Sequence, residues 1–145
     1  QLFLGLTFNW GIIMAWTSMD LAVSIEILLL YIAAIFWTLG YDTIYGAQDM
    51  SDDEIIGIKS TSLKFKNNIK LFVSFSYLVT VVLITYLLKD VMGQNISSIL
   101  ILFFILTLIF QIYKFNIHNS SSCLQCFKFN NISGLVLFLS ILSIS

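Results

Sequence analysis

The chain has 145 residues, 59% of them hydrophobic and 10% charged, with a mean hydropathy of +0.95. Soluble domains are usually about 25% charged, and no soluble fold of this size has interior enough to hide so much apolar surface. The formal net charge is −1, which leaves no basic face for nucleic acid, and Cys123 and Cys126 alone make no disulfide framework.

The apolar runs predict an all-α, polytopic bundle of transmembrane helices. Residues 2–19 are uncharged and read as a first membrane helix, with a short break at Ser18, Met19 and Asp20. Residues 22–41 form a second span. Its one charge, Glu26, sits in the first turn, where the helix dipole favours it, and Trp37 and Tyr41 mark the other end as interfacial. A polar stretch follows over 42–70. Residues 71–88 are the third span, connected through Lys89-Asp90 and Gly93-Gln94-Asn95 to a fourth over 96–113. A second polar stretch covers 114–131, and 132–145 is a fifth apolar segment. It is short against the roughly 20 residues that a span requires. The runs are continuous rather than alternating, which argues against barrel strands. The opening QLFLGL lacks the charged region of a signal peptide, and the chain reads as part of a longer protein.

All seven cations are lysines. Lys59, Lys64, Lys66 and Lys70 lie in the first polar stretch and Lys114 and Lys128 in the second, with only Lys89 on the opposite side. The positive-inside rule then places the 42–70 segment on the cytoplasmic side of a bacterial plasma membrane, or the matrix side of a mitochondrial inner membrane.

The chemistry concentrates between residues 41 and 61, within YDTIYGAQDMSDDEIIGIKST. Five of the eight acids are here: Asp42, Asp49, Asp52, Asp53 and Glu54. If the second span continues as a helix, Asp42, Tyr45, Asp49 and Asp53 share one face, with Asp52 beside them. Gly46 and Ser51 weigh against that helix. Carboxylates stacked in this way repel. Two charges at about 4 Å cost roughly 1 kcal/mol in water and about 4 kcal/mol at an effective dielectric of 20. Proton sharing or a hard divalent cation would relieve the repulsion. Mg²⁺ is typically held by one or two carboxylates plus phosphate, and Lys59, Ser60 and Thr61 follow with groups suited to phosphate oxygens. The competing reading is a solvated acidic loop. Cys123 and Cys126 have redox or metal spacing, but with His118 the only histidine a zinc site lacks its fourth ligand, so structural thiols and a loop histidine are expected.

The stretch DTIYGAQDMSDDEIIGIKSTSLKF resembles the second aspartate-rich motif of the UbiA-type membrane prenyltransferases, closest to the 4-hydroxybenzoate branch of that family. There the motif runs D-T-x-Y-A-x-x-D-x-x-D-D-x-x-I-G-[VI]-K-S-T-A. This sequence matches at Asp42, Thr43, Tyr45, Asp49, Asp52, Asp53, Ile56, Gly57, Lys59, Ser60 and Thr61, with Gly46 where Ala is usual. The opening GLTFNWGIIMAW is similar to the family's F-x-W-G-x-x-M-G-W helix. Cys123, Phe127, Asn130 or Asn131, Gly134, Leu137 and Phe138 resemble a late C-x-x-x-F-x-x-N-x-x-x-G-x-x-L-F pattern.

The resemblance implies a fold of nine membrane helices, of which this chain would supply roughly the last five as the C-terminal portion of one domain. It implies Mg²⁺-dependent transfer of a polyprenyl group from an allylic polyprenyl diphosphate to 4-hydroxybenzoate, ortho to the hydroxyl, in ubiquinone synthesis. Asp49 and Asp53, with Asp52, would hold the metal. Lys59 would contact the diphosphate, Tyr45 would line the site, and Asp42 would orient Lys59 or a second metal. The family's first aspartate-rich motif, N-D-x-x-D-x-x-x-D, is not in these residues, so helices N-terminal to this chain are expected to complete the site and the chain alone is expected to be inactive. Asn116-Ile117 replaces a usual Asp-Ile, and the Pro that normally follows is missing. Two other readings remain: a family member with another acceptor, such as haem, a naphthoate or a chlorophyll precursor, and a non-catalytic, cation-binding membrane segment. A transporter would more often place its acids mid-span, whereas these sit at a helix end.

Overall fold

A computed structural model describes residues 1–93 and 95–144, and the regular structure among them is helical throughout. Four helices are long and apolar enough to cross a membrane: α3 (Ile25–Gly46), α6 (Ile69–Leu88), α7 (Ile96–Lys114) and α8 (Ser120–Leu142). At 1.5 Å per residue they measure about 28–35 Å, matched to a hydrocarbon core of about 30 Å. The short helices are α1 (Leu2–Phe8), α2 (Gly11–Thr17), α4 (Met50–Ile56) and α5 (Thr61–Lys64), with one 3-10 turn at Lys66–Asn68. Third and fourth spans fall where the apolar runs put them. Gln94, in the turn between them, and Ser145, at the end of the fifth apolar segment, lie outside the described residues.

Three expectations are corrected. The first segment is not one helix over 2–19 but two seven-residue helices parted at Asn9. The Asn9 side chain turns inward, and its Nδ2 donates to Gly5 O at 2.8 Å, to Thr38 Oγ1 at 2.8 Å and to Ala34 O at 3.3 Å. A polar side chain bonded to backbone and to α3 competes with a continuous helix. The second span starts at Ile25, after an extended Ser24, and runs past Tyr41 to Gly46. Trp37 is therefore not an interface marker. It packs inside the bundle, edge-on to Phe104 at 5.3 Å, and its Nε1 donates to Asn130 Oδ1 at 2.9 Å. The fifth apolar segment is the second half of a 23-residue helix that begins at Ser120. Asn119 caps it by accepting the Ser122 N–H at 3.1 Å.

Helix α3 is the centre of the bundle. It packs mainly against α6 and α8, carries α1 and α2 on its outer side, and α7 packs on α8. A bilayer offers no hydrophobic force between helices, so close packing and polar side chains must hold them. Ala33, Val73, Tyr77, Ile84, Phe104 and Leu108 form the buried apolar layer. Through it run polar links. Tyr77 OH donates to Gln111 Oε1 at 2.7 Å, and Gln111 Nε2 donates to Ser133 Oγ at 2.9 Å. Thr80 Oγ1 donates to Ala33 O at 3.2 Å, and Ser140 Oγ donates to Ser97 O at 3.1 Å. Gly40 admits the Tyr77 ring against α3, and a Cβ there would run into the ring atoms Cε1 and Cδ1.

The helix-embedded glycines therefore differ in kind. Gly40→Ala is expected to destabilise the protein by about 1–3 kcal/mol, because Tyr77 must shift away from Gln111. Gly11 faces open space, so Gly11→Ala is expected to be neutral or to stabilise by about 0.5–1 kcal/mol. Thermal unfolding of the two variants in mild detergent checks both signs.

Candidate active site

The acidic segment is not one helix. Helix α3 carries Asp42 and Tyr45 to its end at Gly46, the chain turns through Ala47, Gln48 and Asp49, and α4 carries Asp52 and Asp53. The shared face of Asp42, Tyr45, Asp49 and Asp53 on a continuous helix is thereby replaced by two helices meeting at an angle in the chain. The turn has a packing cause, since Ala47 and Met50 are both buried and join the core cluster that also holds Phe115 and Cys123.

Burial sorts the acids. Asp42, Asp49 and Asp53 are half-buried, whereas Asp52 and Glu54 are exposed. Asp49 and Asp53 share one helical turn, linked by the Asp53 N–H to Asp49 O bond at 2.9 Å. Asp49 stands at the N-cap of α4, yet its carboxylate makes no capping bond. It accepts one weak bond, from Gln48 Nε2 at 3.3 Å. Gln48 Oε1 is buried without a partner. Two half-buried carboxylates and an orphaned amide oxygen are hard oxygen donors of the kind a divalent cation takes. Among the described residues no cluster of three or more His, Cys, Asp or Glu side chains is poised to hold a metal by itself. A cation here would need further oxygens from a ligand or from another segment.

A column of aromatic rings runs from the bundle interior to Tyr45, four residues before Asp49. Trp37 lies edge-on to Tyr41 at 6.4 Å, Tyr41 is 6.0 Å from Phe127, and Tyr45 is 4.7 Å from Phe127. Phe127 and Asn130, both on α8, are the site neighbours that sequence reasoning leaves without a role. Their signal is the helical spacing of Cys123, Phe127, Asn130 and Gly134, which carries α8 back through a stretch read as loop. The two thiols face α7: Cys123 Sγ lies 3.4 Å from Asn116 O and Cys126 Sγ 3.8 Å from Gln111 O, both buried in the helix contact. His118 is exposed in the α7–α8 connection.

Beyond α4 the chain reverses at Gly57, whose φ of +80° lies in the left-handed region that favours glycine. The Ile58 N–H closes the turn on Asp53 O at 3.0 Å. Lys59, Ser60 and Thr61 then line an open hollow of about 610 Å³ together with Glu54, Lys64 and Lys66. Lys59 is exposed in this hollow. Lys66 pairs with Glu54 at 2.6 Å, the single ion pair among the described residues. The structure thus groups Asp49 with Asp53, and Tyr45 with Phe127, while Lys59 stands with Ser60 and Thr61 and is not paired with Asp42.

Two polar bonds tie this reversal to the rest of the chain: Ser62 Oγ donates to Thr43 O at 3.0 Å, and the Thr61 N–H donates to Gln1 Oε1 at 2.7 Å. The Ser62 hydroxyl fills the space a side chain at position 46 would need, since a Cβ on Gly46 would lie 2.7 Å from it and 2.8 Å from Gln1 Nε2. In the motif that this segment resembles, both positions are Ala. Gly46 and Ser62 are therefore a matched exchange of volume. Gly46→Ala alone is expected to destabilise by about 1–3 kcal/mol. The Gly46→Ala/Ser62→Ala double variant is expected to recover at least half of that loss, a coupling that a double-mutant cycle on thermal unfolding measures directly.

A model of the UbiA prenyltransferase family matches residues 1–140. The mitochondrial 4-hydroxybenzoate polyprenyltransferase of Rattus norvegicus is 40% identical, over 97% of this chain and 38% of its own length. Its counterparts in Aedes aegypti and Homo sapiens are each 38% identical over 97% of this chain, covering 32% and 38% of their own lengths. The chain therefore spans only about a third to two fifths of the relatives it matches. No solved structure matches it. Helices fit to span a membrane, the two-helix acidic site at their end and a family match across nearly every residue agree: the chain belongs to the UbiA prenyltransferase family.

Proposed function

We propose that this chain supplies the second aspartate-rich half of an Mg²⁺-dependent site that moves a polyprenyl group from an allylic polyprenyl diphosphate to 4-hydroxybenzoate. The observation that carries the reading is the pair of half-buried carboxylates Asp49 and Asp53, one at the N-cap and one inside α4, with Asp49 following four residues after Tyr45 of the aromatic column. The relatives' names support the donor and acceptor.

Asp49 and Asp53 would hold Mg²⁺, with the exposed Asp52 as an outer contributor, and the donor set fits because Mg²⁺ takes one or two carboxylates and completes its shell from phosphate and water. Bound there, the metal supplies neutralisation of the charge that builds on the departing diphosphate. Lys59, with Ser60 and Thr61, offers a cation and hydroxyls to the same oxygens. Asp42, half-buried one turn before Gly46, would orient Lys59 or a second metal. The allylic C–O bond breaks, the ring carbon ortho to the hydroxyl forms the new C–C bond, and that carbon loses its proton. Tyr45, Tyr41 and Phe127 present ring faces to the electron-poor allylic carbon and exclude water from it. Helices carrying the first aspartate-rich motif, N-terminal to this chain, would complete the site. The membrane is the mitochondrial inner membrane or a bacterial plasma membrane, with the acids on the matrix or cytoplasmic side.

Two outcomes test this. The 145-residue chain reconstituted alone with Mg²⁺ and both substrates is expected to give no prenylated product, and turnover would overturn the half-site reading. Joined behind the N-terminal portion of the rat relative, it is expected to be active and to lose activity on chelation. There, Asp49→Asn and Asp53→Asn are each expected to lower kcat by about 10²-fold or more, and Asp52→Asn by less. Unchanged Mg²⁺-dependent turnover in both would remove Asp49 and Asp53 as metal ligands.

A further inference from the structure

Two of the lysines to which the prenyl-transfer reading gives no role stand together. Lys66 and Lys70 line a second cavity of about 430 Å³, on the side of the α6 start that faces the α7–α8 connection. Asn68 joins them from the 3-10 turn, and Asn116 and His118 enter from the connection, so two separate segments converge polar groups on one space. Each of these five side chains is exposed, and each carries N–H donors. No acid lines the cavity. Glu54 pairs with Lys66 at 2.6 Å from an adjoining hollow that also reaches His118.

The floor of the same cavity is apolar. Leu71 lines it and is 70% exposed. From there Phe75, Leu78, Val82 and Tyr86, all more than half exposed, continue along one face of α6. Their spacing of four, three, four and four residues keeps them on a single stripe. A donor-rich, cationic hollow thus opens at the membrane surface onto an apolar track that runs down the bilayer. Free phosphate would use only the first part of this arrangement. A phospholipid uses both.

We infer that this cavity is a binding site for an anionic phospholipid, with the headgroup phosphate held by Lys66, Lys70, Asn68, Asn116 and His118 and an acyl chain lying on the Leu71–Phe75–Leu78 stripe. Basic pockets between transmembrane helices on this side of a membrane are suited to such headgroups. Lys66 also lines the hollow that holds Lys59, Ser60 and Thr61, so the lipid site borders the proposed diphosphate site and shares one lysine with it. Glu54 competes with the lipid for Lys66.

Native mass spectrometry of the full chain in detergent, titrated with phosphatidylglycerol or phosphatidylcholine, tests the assignment. Phosphatidylglycerol is expected to be retained more tightly. Lys66→Gln and Lys70→Gln are each expected to weaken it about 5-fold, while Lys128→Gln, on α8, leaves it unchanged. Glu54→Gln, which frees Lys66, is expected to tighten it. Leu71→Asn is expected to weaken the lipid without changing competition by inorganic phosphate. Circular dichroism and unfolding in neutral detergent check that each variant is folded. Equal retention of the two lipids, equal losses at Lys128 and Lys70, or displacement of the lipid by inorganic phosphate with no effect of Leu71→Asn would overturn the proposal.

Discussion

The hydrogen-bond chain from Tyr77 through Gln111 to Ser133 is the interaction on which the rest of the bundle depends. It joins α6, α7 and α8 at a depth where lipid offers no competing donor or acceptor, so each of its groups would be left unsatisfied if the helices parted. All three side chains are buried, and Gly40 opens the space on α3 that lets the Tyr77 ring reach Gln111. One missing methyl group thus allows four long helices to share a register. That register carries outward. With α8 held by Ser133, Asn130 meets the Trp37 indole and Phe127 meets Tyr45, one and two turns nearer the acidic end.

At that end the physics changes from packing to charge. Asp49 occupies a position where aspartate usually spends its carboxylate on capping backbone N–H groups. Here it does not cap and accepts only the weak bond from Gln48 Nε2, while the Gln48 oxygen has no partner. A buried oxygen left without a partner costs free energy unless a ligand uses it. Structural acids in solvated loops show the opposite pattern, which Glu54 supplies in the same segment: exposed, paired with a lysine, and with no orphaned neighbour.

Much of this was legible in the sequence, and what was not has identifiable causes. Continuous apolar runs located α6 and α7 within two residues, because nothing interrupts them. Polar residues hid the true extents elsewhere. Asn9 breaks the first segment through contacts with α3 at Ala34 and Thr38, a tertiary event with no local signal. Helix α8 was masked for the converse reason. Its first half is polar because it faces α7 carbonyls and the aromatic column rather than lipid, so hydropathy fell while the helical spacing of Cys123, Phe127, Asn130 and Gly134 persisted. The acidic residues themselves were found by composition and the pairing of Asp49 with Asp53 by resemblance, while the turn that separates them from Asp42 was signalled only by Gly46. The break after Gly46 depends on where Ala47 and Met50 can be buried, and no spacing rule contains that.

The short helices at the acidic end could not stand alone. A seven-residue helix is far below the length at which an isolated helix is stable in water. Helix α4 exists because Met50 and Ala47 are buried beneath it, because Gly57 can stop it in the left-handed conformation, and because Ser62 ties the returning chain to Thr43. Each anchor lies in the bundle or bonds to it. The spacing of Asp49 and Asp53 from the aromatic column is therefore set by helix packing deep in the membrane rather than by the loop that carries them. The same dependence explains why Gly46 and Ser62 differ together from the motif they resemble. The volume between α3 and the returning chain is fixed by the bundle, and it can be filled from either side but not from both.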